Sequence, residues 1–220
     1  MSEKKTEQKT VIKSESKSEA KLCLLQAAAK LFSKLGLENT STRDLARESK
    51  ANISLISYHF GGKEGLYKEV LKDFALEVQS TMQPVLEQSQ KTEVTKESFS
   101  QEISSIIQNM ISMRKKHPEI CQILCREKAN GMPLSRDIHE EIFYPLAKRF
   151  IQSFETAQTK KMVRADIHAG LFFICMSEGL FGFYEMMDCQ TSMKKDCEQF
   201  MDSELLKNQI LNIYLNGVLL

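Results

Sequence analysis

Between residues 40 and 67 the sequence TSTRDLARESKANISLISYHFGGKEGLY gathers small hydroxyl side chains, an aromatic–histidine–aromatic run and several basic residues. Ser54, Leu55, Ser57 and Tyr58 point outward from a short predicted helix, with His59 between Tyr58 and Phe60. Side chains of this kind suit docking rather than packing. Short residues let a backbone approach the edges of bases, and basic neighbours grip phosphates. Arg43, Arg47, Lys50 and Lys63 surround the stretch. Lys63 also opens the following helix, where unsatisfied N–H groups and the helix dipole favour an anion.

The elements that must hold these residues are legible from spacing. A first helix is predicted from about Ser18 to Leu35, with Leu24, Ala28, Leu31 and Leu35 on one face. Gly36 suits the left-handed position after its end, and Leu37 the hydrophobic contact that follows. A second helix is predicted over Thr42–Ser49, opened by a capping box of Ser41 and Asp44, with Leu45 and Ala46 inward. A third runs from about Ile53 to Phe60 behind an Asn52 cap, with Ile53, Ile56 and Phe60 on its inner face and Gly61-Gly62 ending it. A fourth starts near Lys63, and Pro84 should kink or stop it. Five more helices are predicted, over about 96–116, 118–130, 135–159, 165–188 and 195–217.

Two short helices around a tight turn, the second with a polar outer face, make a helix-turn-helix, whose second helix can enter a major groove. Paired short helices are common, so geometry alone also leaves open a solvated helix of an ordinary bundle. The residues themselves extend the match. AAAKLFSKLGLENTSTRDLA followed by NISLISYHFGGKEGLY resembles the DNA-binding domain of TetR/AcrR-family transcriptional regulators, specifically over residues 20–70. The NI-x-x-I-x-YHFGGKEGLY form is similar to the CecR/YbiH-like subgroup, as are, more weakly, HPEICQILCREKANGMP and IFYPLAKRF.

The resemblance implies that Thr42, Arg43, Ser54, Leu55, Ser57, Tyr58, His59 and Lys63 form the DNA-facing set. Thr42, Tyr58 and Lys63 would hold phosphate. Ser54, Leu55 and Ser57 would read bases, Leu55 against a thymine methyl. Two positions depart from the family pattern. Lys50 stands where the turn usually has Gly, at a cost of about 1 kcal/mol if it is left-handed. Leu55 is bulkier than the small residue usual there, so the family's base preferences do not transfer.

The implied fold is all-α: an N-terminal three-helix helix-turn-helix domain and a C-terminal helical effector-binding and dimerisation domain, about nine helices in all. The expected division is a disordered basic tail at 1–17, the DNA-binding domain at 18–65 and the remainder at 66–220. Met110, Met113, Phe143, Phe172, Phe173 and Met176 suit an adaptable apolar pocket, although each alone reads as core filling. The resemblance makes the last two helices a four-helix dimer interface, with Gly179, Gly182, Phe183, Ile210, Ile213 and Tyr214 as its candidates. Gly costs about 1 kcal/mol inside a helix, which close approach of another helix would offset.

Charge and composition fit this division. Residues 1–70 carry 13 Lys/Arg against 9 Asp/Glu, and the remainder 17 against 20. A basic first third joined to an acidic remainder suggests that only the first meets a polyanion. No secretory signal or membrane-spanning run is read, and six irregularly spaced cysteines suggest a reduced, cytoplasmic protein. Cys121 and Cys125 lie four apart on a helix but lack companion ligands, and His139 with Glu140 and His168 near Asp166 belong to no motif. No phosphate loop, dinucleotide fingerprint or H-E-x-x-H occurs, so neither enzyme activity, metal nor cofactor is expected. The expectation is a ligand-responsive repressor that binds palindromic double-stranded operator DNA as a homodimer, released by an unidentified small molecule, with no membrane partner. The alternative is a protein of this fold that binds lipid or protein and no longer reads DNA.

Overall fold

The computed structural model describes residues 2–91, 93–189 and 191–219, with side chains from residue 19 onward except residue 90. Helices run α1 Ser2–Leu35, α2 Thr42–Ser49, α3 Ser54–Phe60, α4 Lys63–Lys91, α5 Lys96–Lys116, α6 Pro118–Ala129, α7 Arg136–Ile138, α8 Tyr144–Thr159, α9 Ala169–Asp188, α10 Ser192–Cys197 and α11 Ser203–Val218. A π-turn at His139–Phe143 joins α7 to α8, and a 3₁₀ turn at Glu198–Met201 joins α10 to α11. Among the described residues the only extended pairing outside helices is a bridge between Val163 and Leu219.

Contacts divide the chain into two compact units. The first comprises Met1–Ala75 and Pro118–Ile138, and the second Leu76–His117 and His139–Leu220. The division is therefore not linear in sequence: α6 and α7 belong with the N-terminal helices.

In the first unit, α1 packs against α2, α3 and α6. Leu24, Ala27, Ala28 and Phe32 of α1 are buried with Leu45 of α2, Ile56 of α3 and Leu66, Tyr67 and Leu71 of α4. The Phe32 and Tyr67 rings meet edge to face, with centroids 5.1 Å apart. Leu35, expected on the inner face, is instead exposed in the last turn of α1. The first helix starts at Ser2, not near Ser18, and takes in the stretch expected to be disordered. No Gly or Pro interrupts residues 2–35, so a helix anchored by its apolar end can propagate toward the N-terminus.

Arg126 of α6 donates to the carbonyls of Phe32 and Ser33 at 2.8 and 2.7 Å. Phe32 O also accepts the Gly36 backbone N–H at 3.0 Å, so the α6 side chain adds to the backbone cap of the last turn of α1. Gly36 follows with φ 79°, as its left-handed position requires.

The second unit has an aromatic core. Phe99 of α5, Phe150 and Phe154 of α8 and Phe172 of α9 are buried with Ile103, Ile106, Ile107, Met176 and Leu180. Phe150 and Phe172 stack at 6.1 Å, and Phe154 meets Phe172 at 4.8 Å. Caps set the helix starts. Thr95 and Ser98 form a capping box for α5, His168 Nδ1 accepts from Leu171 N at 3.2 Å to open α9, and Asp202 accepts from Glu204 N and Leu205 N to open α11. Those last two caps correct the predicted spans at 165 and 195, because α9 begins only after His168 and α11 only after Asp202. Pro84 does not stop α4, which continues to Lys91. Met82 and Leu86 flank it and are both buried, so packing along that face offsets the lost backbone bond.

Candidate nucleic-acid interface

Ser41 caps α2. Its Oγ accepts from Asp44 N at 3.1 Å, and Asp44 Oδ2 takes the Ser41 backbone N–H at 3.3 Å. The Asp44 carboxyl lies below the usual carboxylate range, chiefly through its bonds to Ser41 and then through Arg47, whose Nη2 is 2.6 Å from Oδ1. Arg47 is thus partly occupied by Asp44, whereas Arg43, one turn earlier on α2, is exposed. Thr42 is half-buried in the first helical turn.

The α2–α3 turn is tight because Lys50 adopts a left-handed conformation, φ 54° and ψ 22°. Its N–H bonds Arg47 O at 3.4 Å. A lysine here keeps the geometry that Gly adopts without strain.

α3 starts at Ser54, and the Asn52 side chain does the capping. Asn52 Oδ1 accepts from both Ser54 N and Ser54 Oγ, each at 2.9 Å. The Ser54 hydroxyl thereby spends its proton on Asn52 and keeps its capacity to accept. Ile56 is the buried anchor of the helix. Ile53 is 42% exposed and so departs from the predicted inner face, because it precedes the first helical turn. Ser54 and Ser57 are exposed, Leu55 and His59 are half-buried, and Tyr58 stands out at 69% exposure. The Tyr58 ring meets His59 edge to face at 4.8 Å, and His59 Nε2 is buried without a hydrogen-bond partner.

The turn into α4 depends on glycine. Gly61 and Gly62 have φ of 72° and 136°, and a Cβ on Gly65 would lie 1.7 Å from Phe60 O. Lys63 does not extend freely into solvent. Its Nζ donates to Leu37 O at 2.7 Å and is half-buried. Lys63 therefore tethers the start of α4 to the turn after α1, and its ammonium has two donors left for an anion.

Elsewhere the candidate residues have plainer surroundings. Phe172 and Met176 are buried in the core of the second unit, Met113 is buried, and Met110 and Phe173 pack against that core. Phe143 is half-buried, with its ring 6.5 Å from His139. Tyr214 donates to Cys175 O at 2.7 Å, and a Cβ on Gly179 would meet its hydroxyl at 2.9 Å. The close approach that Gly179 permits is thus to Tyr214 of its own chain. Gly182 and Ile213 are exposed, Phe183 is half-buried and Ile210 is buried. No group of three metal-ligating side chains occurs among the described residues. His168 is used as a helix cap, and Asp166 pairs with Arg164 at 2.7 Å.

Residues 24–70 match the family described as bacterial regulatory proteins, tetR family. This segment is similar to that family's DNA-binding part. The chain is 26% identical over 134 residues to the HTH-type transcriptional dual regulator CecR of Shigella flexneri, covering 58% of this chain and 60% of that one. It is 44% identical over 55 residues to the HTH-type transcriptional repressor Rv3405c of Mycobacterium tuberculosis, covering 25% and 29%. The chain's matches span 53% and 60% of the length of two curated relatives, the probable HTH-type transcriptional regulator YttP of Bacillus subtilis and CecR. The solved structure of the ketosteroid transcriptional regulator KstR2 of Mycobacterium tuberculosis superposes with a TM-score of 0.69 at 16% identity, over 90% of this chain and 93% of that one. The TetR-type fold therefore extends beyond the matched domain to the C-terminal helices.

The Asn52 cap is legible in the sequence, but one feature of the first unit had no local signal there: Arg126 reaches the end of α1 from 94 residues away.

Proposed function

We propose that this chain is a DNA-binding transcriptional regulator, a cytoplasmic repressor that binds a palindromic operator as a homodimer and leaves it when a small molecule binds. The observation that carries this reading is the outer side of α3. Ser54, Ser57 and Tyr58 are exposed on a helix anchored through Ile56, inside a segment that matches the tetR family. In this reading Ser54, Leu55 and Ser57 meet base edges, while Thr42, Tyr58 and Lys63 hold phosphates, with Arg43 and His59 beside them. The likeness to CecR supports a CecR-like subgroup.

The homodimer reading draws on α9 and α11. Leu171, Ile174 and Met186 of α9 and Leu205 and Ile213 of α11 are large apolar side chains left exposed. A two-fold interface would cover them and set two reading helices about one DNA turn apart. Release by an effector requires that it bind the DNA-free conformation more tightly than the DNA-bound one.

Selection of bound duplexes from a random pool tests this reading in one experiment. An inverted repeat should emerge. Recovery of no consensus at low salt would contradict it.

A further inference from the structure

Glu102 of α5 is an expensive residue to bury. It is 6% exposed, and its neighbours Phe99, Ile103 and Ile106 belong to the apolar core. Two serines bond one of its oxygens: Ser89 Oγ and Ser153 Oγ donate to Oε2 at 2.5 and 2.6 Å. The other oxygen, Oε1, is buried with no hydrogen-bond partner. Burial pushes the carboxyl above its ordinary range, against the two serine bonds, which act the other way. Either protonation state leaves Oε1 unmatched: ionised it lacks a donor, and protonated there it lacks an acceptor.

Two cavities share this residue as a wall. The smaller, about 230 Å³, is lined by Leu86, Val94, Arg149 and Thr156 among others, with Ser89 and Glu102. The larger, about 430 Å³, is lined by Pro84, Val85 and Gln88 of α4 and by Ser98, Gln101 and Ser105 of α5, again with Ser89 and Glu102. Among the described residues lining the larger one, Glu102 alone is charged. Its volume falls in the range of small-molecule sites. Two serines orient one carboxylate oxygen, the second is buried without a partner, and apolar side chains stand alongside.

We propose that Glu102 is the recognition residue of a site for a small organic cation, an amine or amidine with a short apolar body. The cationic N–H groups donate to Oε1 and offset the buried negative charge, while Pro84 and Val85 in the wall of the larger cavity contact the hydrocarbon part. That this cation is also the effector rests on the regulator reading above; the binding site itself does not.

The experiment titrates the full chain with benzamidine, benzylamine and benzoate by calorimetry, alongside Glu102→Gln and Arg149→Gln. The parent should bind the two cations and not benzoate. Glu102→Gln should weaken cation binding by at least ~30-fold, as loss of a buried charge partner does. Arg149→Gln removes a like charge from the wall of the smaller cavity and should tighten cation binding severalfold, so it decides the matter if Glu102→Gln fails to fold. No cation binding by the parent, equal binding by a folded Glu102→Gln, or unchanged or weaker binding by Arg149→Gln would overturn the site. It would then show a structural carboxylate solvated by trapped water. Duplex binding measured on the same samples separates the two readings, because a parent that binds benzamidine but no DNA removes the regulator and leaves the site standing.

Discussion

The Tyr67 phenol donates to Glu127 Oε1 at 2.9 Å, while Glu127 Oε2 accepts the backbone N–H groups of Leu134 and Ser135, both at 3.0 Å. One buried carboxylate thus joins α4 to α6 and fixes the turn that follows α6. Burial, and then the bond to Glu127, push the Tyr67 phenol well above its ordinary range, so it stays protonated as a donor. Tyr67→Phe should cost about 1–3 kcal/mol in urea unfolding, because one buried acceptor loses its partner. Glu127→Ala, which also orphans two backbone N–H groups, should cost more. Equal stabilities of parent and both variants would show that the carboxylate adds nothing to the unit.

Gly65 and Gly61 separate two reasons for glycine. Gly65→Ala places a methyl 1.7 Å from Phe60 O, which is backbone and cannot swing aside. Gly61→Ala meets nothing within 4 Å and adds only left-handed strain, at φ 72°. Gly65→Ala should therefore lower the melting temperature well beyond the loss caused by Gly61→Ala, which amounts to about 1 kcal/mol. The reverse order would contradict the described turn.

Lys50 is left-handed without being Gly. Lys50→Gly should stabilise the fold by about 1 kcal/mol through relief of that strain. Denaturation midpoints at equal m-value measure it, and a destabilised variant would refute it.

Asp44 gives a pH test. Its folded-state pKa is depressed by the Ser41 bonds first and Arg47 after, so its contribution is fully present above the ordinary carboxylate value. It is lost as the pH falls through the depressed folded value. Melting curves of parent and Asp44→Asn should diverge at neutral pH and converge in acid. A gap that stayed constant across that window would show that ionised Asp44 does not support the cap.

The parts of the fold that local chemistry dictates were readable in the sequence. Ser41 and Asp44 are three apart and form their box; Gly36 ends α1 in the left-handed region. What escaped were effects decided by distant partners. Pro84 is tolerated because Met82 and Leu86 are buried around it. Lys63 looked like a free cation, yet a carbonyl 26 residues away holds it. α6 joins the N-terminal helices through Arg126 and Glu127, whose partners on α1 and α4 lie 60 to 94 residues away. Likewise, nothing in the spacing of Ser89, Glu102 and Ser153 announces that they meet.

The outer face of α3 is the centre of the account, and its most direct measurement is salt-dependent binding to a selected palindromic duplex. The parent should bind with an affinity that falls as salt rises. Tyr58→Ala combined with Lys63→Ala should bind about a hundredfold more weakly, with two charge-assisted contacts gone, while its helicity and oligomeric state stay unchanged. A folded double variant that bound the duplex as tightly as the parent, with the same salt slope, would contradict the assignment of this face to DNA.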